Sequence, residues 1–246
     1  MNRPATTHSP TFSPLYQQIR ALITRSLESG EWKPGDIIPS ESELAERFGV
    51  SQGTVRKAID ELAAENLLVR RQGKGTFVST HDDPRSFFRF LRLASNEGEL
   101  LRLQSIPLEC WRAKAGADVA RTLALEPGAP INIVRRLMRF GDEPAVYDEI
   151  YLPGELFPDL SLDILNSVAV SMYSLFESRY SVRIIRAEER LRAVSADRVS
   201  AELLQVAEGS PLLLVERVTY TYDNKPVEWR RGFYATKNFY YHNELG

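Results

Sequence analysis

Four polar side chains that can bond to DNA bases or phosphates stand at the start of a candidate helix: Ser51, Gln52, Thr54 and Arg56. A glutamine can bond an adenine edge, and an arginine a guanine edge, through two hydrogen bonds each. Further along, the turn Gln72-Gly73-Lys74-Gly75 presents one cation with little side-chain bulk around it. The pattern predicts nucleic-acid contact by a helix tip and a hairpin tip. The alternative is an ordinary solvated helix face.

Positive charge around these residues is local rather than global. The chain of 246 residues has 31 basic and 33 acidic side chains, so its net charge is -2. A field that attracts nucleic acid over the whole surface is therefore excluded. In the candidate helix the acidic residues Asp60, Glu61 and Glu65 come late, and the helix dipole favours phosphate at the opposite end. The first turns of this helix and the hairpin are thus the expected contact surface.

The sequence contains no recognisable catalytic or metal-binding motif. Its three histidines, His8, His81 and His242, are far apart, and Cys110 is the single cysteine. No phosphate-binding loop, dinucleotide loop or nucleophile elbow is present. His81-Asp82-Asp83 could bind a cation, although a linker explains it better. We expect no cofactor and no metal.

Membrane insertion and secretion are not expected either. No apolar run reaches the roughly 18 residues that a transmembrane helix needs. Residues 1–12 lack the apolar segment of a signal peptide, and we interpret them as a flexible tail. A single cysteine suits a reducing compartment. We therefore expect a cytoplasmic protein.

Three helices and a hairpin are predicted to position the candidate DNA contacts in residues 13–79. One apolar stripe marks the first helix: Leu15, Ile19, Leu22, Ile23 and Leu27. Ser40 and Glu43 have the spacing of a capping box that starts the second helix. Ser51 can cap the third, which would bury Val55, Ile59 and Leu62. Residues 67–78 have the strand–turn–strand pattern of a hairpin. The result is a helix-turn-helix with a two-stranded wing.

Several motifs in this region match, in order and spacing, the winged helix-turn-helix of GntR-family bacterial transcription regulators, which the chain closely resembles. The motifs are Ile38-Pro39-Ser40-Glu41-Ser42-Glu43-Leu44-Ala45, Phe48-Gly49-Val50-Ser51, Thr54-Val55-Arg56-Lys57-Ala58 and Gly73-Lys74-Gly75-Thr76-Phe77-Val78. The resemblance implies a dimer that binds double-stranded, palindromic operator DNA. The DNA-binding residues that it implies are Ser42, Ser51, Gln52, Thr54, Arg56, Arg71, Gln72, Gly73 and Lys74. The family often has arginine where this chain has Ser42 and Gln52, so we expect altered base preference or weaker phosphate affinity.

Residues 86–246 are predicted to form an α+β domain with a mostly antiparallel sheet, after a linker at residues 80–85. Two hairpins share one plan, with strands at 131–140 and 145–152, and at 211–222 and 227–234. Each hairpin turn contains an acidic residue and ends in proline. Helices are expected at about 116–125, 168–179 and 196–206. Strands mixed with helices in this way favour the α+β class.

This second region resembles the UTRA effector-binding domain of the HutC subgroup of GntR regulators, whose fold is like chorismate lyase. The residues that carry the likeness are Arg136-Leu137, Glu143-Pro144, Tyr151-Leu152-Pro153, Phe157-Pro158-Asp159-Leu160, Ser171-Met172-Tyr173, Pro226-Val227-Glu228 and Tyr234. By position, the resemblance implies an effector pocket lined by Arg136, Asp148, Ser171, Tyr173, Glu228 and Tyr234. An arginine fork suits an anionic effector. Members that bind sugar phosphates tend to have a second arginine where this chain has Met138. A carboxylate-bearing or less charged metabolite therefore stays open.

Each implied pocket residue also has a structural explanation. Tyr151, Tyr173 and Tyr234 could be core aromatics, Arg136 could form a cross-strand ion pair with Glu228, and Ser171 could cap a helix. Our hypothesis is a homodimeric, ligand-responsive repressor. Two rivals stay open. One is an enzyme of lyase or hydrolase type that uses Arg136, Asp148 and Glu228 for acid–base chemistry. The other is a DNA-binding architectural protein without an effector.

Overall fold

The computed structural model describes residues 13–81, 92–96, 103–167 and 171–243. The chain divides into two compact units, Met1–Ser79 and Thr80–Gly246. The tail expected at residues 1–12 and most of the expected linker, residues 82–85, lie outside the described residues. Within the described part of the chain, no helix is long and apolar enough to span a bilayer.

The first unit is built from three helices and one hairpin. Its elements are α1 (Leu15–Glu28), α2 (Glu41–Phe48), α3 (Gln52–Ala64), β1 (Leu68–Arg71) and β2 (Gly75–Val78). The capping box is present at α2, where the Ser40 hydroxyl accepts from the Glu43 N–H and the Glu43 carboxylate accepts from the Ser40 N–H. Gly49 ends α2 in the left-handed conformation with φ of 65°, which glycine adopts without steric cost. Local sequence signals thus produce the helix-turn-helix.

The core of the first unit lies between α1 and α3. Ile23, Val55, Ile59 and Leu62 are fully buried there. The apolar stripe predicted for α1 is wrong at two positions, because Leu15 and Leu22 are 49% and 39% exposed. Leu15 is the first residue of the helix, and Leu22 is rotated by about 100° from Ile23, at the edge of the buried stripe.

The second unit contains a six-stranded sheet with helices on both faces. Its elements in chain order are β3 (Leu93–Ser95), β4 (Gln104–Lys114), α4 (Ala117–Thr122), β5 (Pro130–Phe140), β6 (Glu143–Pro153), α5 (Leu162–Asn166), α6 (Met172–Tyr180), β7 (Arg186–Ser195), α7 (Arg198–Leu204), β8 (Pro211–Tyr220), β9 (Pro226–Ala235) and β10 (Phe239–Tyr241). A short 3₁₀ helix, Tyr222–Asn224, joins β8 to β9. The predicted α+β class, with helices and an antiparallel sheet, is confirmed. The sequence interpretation gave no bounds for β3, β4, β7, β10 or α5.

The strand order β4-β5-β6-β9-β8-β7 reveals two copies of one plan. Each copy runs strand, helix, strand, strand: β4-α4-β5-β6 and β7-α7-β8-β9. All neighbouring strands are antiparallel, and the copies meet where β6 pairs with β9, with Asp148 opposite Gly232. The second strand of each hairpin, β6 or β9, therefore lies at the centre of the sheet.

The two faces of the sheet pack against different helices. Side chains alternate between faces along a strand. Val134 and Ile150 pack on one face against Phe176 of α6, and we call this the inner face. Tyr147 packs on the opposite face against Ala201 and Leu204 of α7. Arg136 lies two residues from Val134 on β5 and Asp148 two residues from Ile150 on β6, so both project from the inner face, opposite each other.

Candidate functional site

An open groove in the first unit, of about 930 Å³, lies between the N-terminal ends of α2 and α3 and the wing. Six of the nine predicted DNA-binding residues line it: Ser42, Gln52, Arg71, Gln72, Gly73 and Lys74. The other three, Ser51, Thr54 and Arg56, belong to the start of α3. The structure therefore brings the helix tip and the wing tip to one side of this unit.

Capping and burial determine which side chains α3 exposes. The Ser51 hydroxyl accepts from the Thr54 N–H at 3.3 Å and lies 2.9 Å from the Thr54 hydroxyl, so Ser51 starts the helix. Because Val55 is fully buried in the core, Gln52 and Arg56 face outward. Two side chains with base-reading capacity are thus exposed at a helix N-terminus, where the helix dipole also favours phosphate.

A carboxylate that the sequence interpretation did not include organises the groove. Glu41 accepts from Arg56 Nε at 2.9 Å, and its other oxygen lies 2.9 Å from Arg70 Nη2. The hydrogen bond from Arg56 holds the pKa of Glu41 below its usual value. The Glu41 side chain is 13% exposed, while that of Arg56 is 58% exposed. The acidic residue therefore orients a guanidinium that stays accessible. Its position directly after the capping serine was the available sequence signal.

Backbone conformation shapes the wing tip. Gly73 and Gly75 have φ of 70° and 110°, and the Lys74 N–H donates to the Arg71 carbonyl at 2.9 Å, which closes the turn. Lys74 is exposed, and the Arg71 guanidinium lies 4.7 Å from the centre of the Phe77 ring. The wing therefore presents a free-standing lysine beside an arginine held against an aromatic ring.

In the second unit, six ionised side chains form a row across the inner face, which we call the ionic band: Arg136, Asp148, Glu189, Arg217, Glu228 and Arg230. Two hydrogen bonds join Arg136 to Asp148. Arg217 donates to Glu189 at 2.6 Å, and Arg230 to Glu228 at 2.9 Å. The three positive and three negative charges balance.

The ionic band lies between two apolar clusters. Along β5, Arg136 stands between Val134 and Met138, which belong to different clusters. Asp148 stands likewise between Ile150 and Val146 on β6. Arg136 and Asp148 are only 5% and 1% exposed. Burying ionised groups costs free energy unless they are paired, so the pairing is a condition for this burial.

The ion pair proposed between Arg136 and Glu228 is wrong. β6 separates the strands that carry these residues, and register places Asp148 opposite Arg136. Glu228 instead accepts from Arg230 and from the Tyr173 hydroxyl, the latter at 3.0 Å. Strand order therefore decides this pairing.

The tyrosines and Ser171 take different positions. Tyr173 and Tyr234 are buried, and burial raises the pKa of both hydroxyls, that of Tyr234 to about 12. Tyr151 stacks on Trp229 with ring centres 5.1 Å apart. The Ser171 hydroxyl accepts from the Ser174 N–H at 3.1 Å and caps α6. The structural alternatives for Tyr173, Tyr234 and Ser171 are thus observed.

Cys110 lies in β4. It is half-buried and donates to the Leu160 carbonyl at a sulfur–oxygen distance of 3.7 Å. Burial raises the pKa of its thiol. This environment disfavours the thiolate, which is the nucleophilic form.

Comparison with known families identifies both units. Residues 15–78 match the family model described as bacterial regulatory proteins, gntR family. Residues 101–240, more than half of the chain, match the UTRA domain. This chain belongs to the GntR family. It is a DNA-binding transcription regulator, and the pairing with a UTRA domain agrees with the resemblance to the HutC subgroup.

Relatives cover most of this GntR regulator. The HTH-type transcriptional regulator Rv0792c of Mycobacterium tuberculosis is 35% identical over 79% of this chain and 72% of its own length. The HTH-type transcriptional repressor NagR of Bacillus subtilis is 29% identical over 90% of both chains. A solved ligand-binding domain of a GntR-family regulator from Bordetella bronchiseptica is 44% identical, with a TM-score of 0.61, over 64% of this chain and 98% of that one.

Two arginines of this GntR regulator were missed as ligand-site candidates. Arg217 and Arg230 lie on the inner face beside the implied residues, and register pairs them across β8 and β9. The shared plan of the two hairpins was the available signal. Arg217 stands in the first strand of the second hairpin, as Arg136 does in the first.

Replacing Lys74 by alanine should lower the salt dependence of DNA binding. If Lys74 neutralises one phosphate, the slope of log Kd against log salt should fall by about one in magnitude. Fluorescence anisotropy titrations at several salt concentrations measure this slope. Lys114→Ala, which removes an exposed lysine from the second unit, should leave the slope unchanged. An unaltered slope in the Lys74 variant would exclude a phosphate contact.

Replacing Glu41 by glutamine should reduce sequence discrimination. The substitution removes a negative charge from the groove and the charged acceptor that orients Arg56. We expect affinity for an unrelated duplex to rise by about two- to fivefold, the scale of one exposed ionic interaction. Affinity for the preferred duplex should rise less, since Arg56 loses its orientation. Competition binding measures the ratio, with Glu46→Gln on the same helix as control. A parallel rise for both duplexes would refute an orienting role.

Proposed function

We propose that this GntR-family regulator is a homodimeric, cytoplasmic repressor that binds a palindromic operator and changes its operator affinity when a small polar molecule binds the second unit. The main support is the groove of the first unit, where an exposed helix N-terminus and a cationic wing tip face the same space. An α-helix fits the major groove of B-DNA, and a wing can lie along the backbone beside it.

In the proposed complex, Gln52 and Arg56 read base edges from the start of α3. The remaining predicted residues contact the DNA backbone or the minor groove: Ser42, Ser51, Thr54, Arg71, Gln72, Gly73 and Lys74. Backbone contacts set the orientation of the protein on the duplex, whereas base contacts give specificity. The exposure of Gln52 and Arg56 supports this division.

The proposed effector site is the inner face of the second unit. The implied residues are Arg136, Asp148, Ser171, Tyr173, Glu228 and Tyr234, to which we add Arg217 and Arg230. Arg136 already donates two hydrogen bonds to Asp148, so an anionic group can take this fork only by displacing a carboxylate. The second oxygen of Asp148 is buried without a hydrogen-bond partner. These features favour an effector that donates hydrogen bonds over one that is purely anionic.

We propose the domain assignment that the sequence predicts: a DNA-binding domain at 13–79, a connection at 80–85, and an effector-binding and dimerisation domain at 86–246. The division into units after Ser79 supports it. Repression is supported by relatives named as repressors, NagR among them. Dimerisation is supported by the small size of the first unit, since two half-sites multiply the contacts that one winged helix can make.

We also propose that the chain has no catalytic activity. Asp148 and Glu228 are each engaged by an arginine, and burial raises the pKa of the Tyr173 hydroxyl that donates to Glu228, which disfavours the nucleophilic phenolate. We expect any ligand that binds to be recovered chemically unchanged after incubation with the protein. Recovery of a reaction product would favour the enzyme hypothesis instead.

Selection from a random-sequence duplex pool with the full-length protein tests the proposal. We expect the recovered duplexes to contain two inverted half-sites separated by about one helical turn or a multiple of it. Sedimentation should then show two chains per duplex. Recovery of no preferred sequence at low ionic strength would overturn the DNA-binding assignment, and one half-site bound by one chain would overturn the dimer.

A thermal-shift screen with neutral, zwitterionic and anionic metabolites tests the effector site. We expect hits whose effect on melting temperature is lost in Arg136→Met, Glu228→Gln or both, and which change affinity for the selected duplex. A screen without any hit would favour the architectural protein. Hits that leave operator affinity unchanged would remove the regulatory role of the second unit.

A further inference from the structure

The second unit begins at Thr80, two residues after the wing ends. Val78 is the last residue of β2, and the Ser79 N–H donates to the Leu67 carbonyl at 3.1 Å within the first unit. The next residue, Thr80, donates its hydroxyl to Glu177 Oε2 at 2.8 Å, and the His81 N–H donates to the same oxygen at 2.9 Å. The first two positions of the expected linker are therefore anchored.

The anchor and the ionic band share one helix. Glu177 and Tyr173 stand four residues apart on α6, so they lie on the same face of that helix. Tyr173 donates to Glu228 of the ionic band, and its ring lies 5.7 Å from the His81 ring. One α-helical turn thus connects the proposed effector site to the first residues after the wing.

Burial of a carboxylate at position 177 costs desolvation free energy that packing alone does not offset. Glu177 is buried, and one of its oxygens lies 3.6 Å from Nε of Arg183, which is also buried. An apolar side chain of similar volume often stabilises a protein as well as a buried ion pair does, or better. What an apolar side chain lacks is an acceptor for Thr80 and His81. Glu177 therefore binds the residues that follow the wing as well as the buried Arg183.

We propose that Glu177 is a positioning residue that couples the ionic band to the DNA-binding unit. An effector that forms or breaks the contact between Tyr173 and Glu228 moves the start of α6, and Glu177 moves with it. Thr80 and His81 follow Glu177, and Ser79 passes the shift to the wing. The coupling free energy cannot exceed the difference between the binding free energies of the effector for the two positions of α6. This inference rests on the proposed function, since it assumes that the first unit binds DNA.

A double-mutant cycle without any effector tests the coupling, with the duplex recovered by selection as the probe. Tyr173→Phe removes the hydroxyl that bonds Glu228. Thr80→Val removes the hydroxyl that bonds Glu177 and keeps the side-chain shape, whereas Thr80→Ser keeps the hydroxyl and serves as the matched control. In the Thr80→Ser background, Tyr173→Phe should change Kd by about fivefold or more, the usual lower range of allosteric coupling. In the Thr80→Val background it should change Kd by less than about twofold, the scatter expected for independent sites. Equal changes in both backgrounds, or none in either, would overturn the proposal.

Amide hydrogen exchange gives a readout that needs neither DNA nor effector. The His81 N–H donates to Glu177, which shares α6 with Tyr173. Tyr173→Phe should therefore speed exchange of the His81 N–H. Glu177→Met, with its fold checked by circular dichroism, should speed this exchange further and abolish the effect of Tyr173→Phe. Unchanged exchange in the Tyr173 variant would refute the coupling even where DNA binding succeeds. Conversely, altered exchange in a protein that selects no duplex would leave the coupling intact and refute the proposed function.

Discussion

Replacing Asp148 by alanine is expected to lower the free energy of unfolding of the second unit by about 3–5 kcal/mol, the usual cost of removing one partner of a buried ion pair. The change leaves the Arg136 guanidinium, which is 5% exposed, without its carboxylate. It also removes the negative charge 3.7 Å from Arg230.

Urea denaturation followed by tryptophan fluorescence measures this loss. In a Trp32→Phe background, the remaining tryptophans, Trp111 and Trp229, both report on the second unit. Asp118→Ala is the matched control, because the Asp118–Arg121 ion pair is exposed at the surface. We expect it to change stability by no more than about 0.5 kcal/mol. A similar loss of unfolding free energy in the two variants would show that the buried Arg136–Asp148 pair contributes no more to stability than an exposed pair.

Replacing Arg56 by alanine is expected to weaken binding to the selected duplex by about 1–3 kcal/mol and to relax preference at one base position. The guanidinium is exposed on α3 and is oriented by Glu41, so it can form two hydrogen bonds to a guanine edge without first losing much freedom. Removal of the side chain takes away these bonds and leaves Glu41 with Arg70.

A set of duplexes with single base changes separates base reading from phosphate contact. If Arg56 reads a base, the variant should lose discrimination at one base position of the duplex and keep discrimination at the other positions. A uniform loss across all duplexes would instead make Arg56 a phosphate contact. Arg20→Ala is the control, since Arg20 is also an arginine paired with a glutamate, but it is half-buried and lies on α1. We expect that variant to bind the selected duplex with unchanged preference.

Much of the first unit could be predicted because its signals are local. Ser40 with Glu43, Ser51, and the glycines of the wing act within a few residues of where they stand. Capping and turn formation depend on backbone groups only a few residues away, so a short stretch of sequence contains all the residues involved. Glu41 escaped prediction because its partners Arg56 and Arg70 come from two other elements.

The edge strands of the second unit were harder to predict. β7 reads Arg-Ala-Glu-Glu-Arg-Leu-Arg-Ala-Val-Ser, and most of its side chains are exposed, so it lacks the apolar alternation of β5, β6, β8 and β9. Edge strands pair on one side only, and charged residues there discourage association with other chains. The same property that suits β7 to an edge removes the pattern by which a strand is recognised.

The amino-acid sequence alone determined the helix tip, the wing, the two similar hairpins and the residue types that could bind DNA or a small molecule. Only the tertiary structure decided that Arg136 pairs with Asp148, that Arg217 and Arg230 join the same band, and that Thr80 and His81 meet Glu177. Backbone hydrogen bonds between strands are the same for every sequence, so strand order depends on how all the side chains of a unit pack together. The contacts from Thr80 and His81 to Glu177 join residues 97 and 96 positions apart, and no local pattern can specify them.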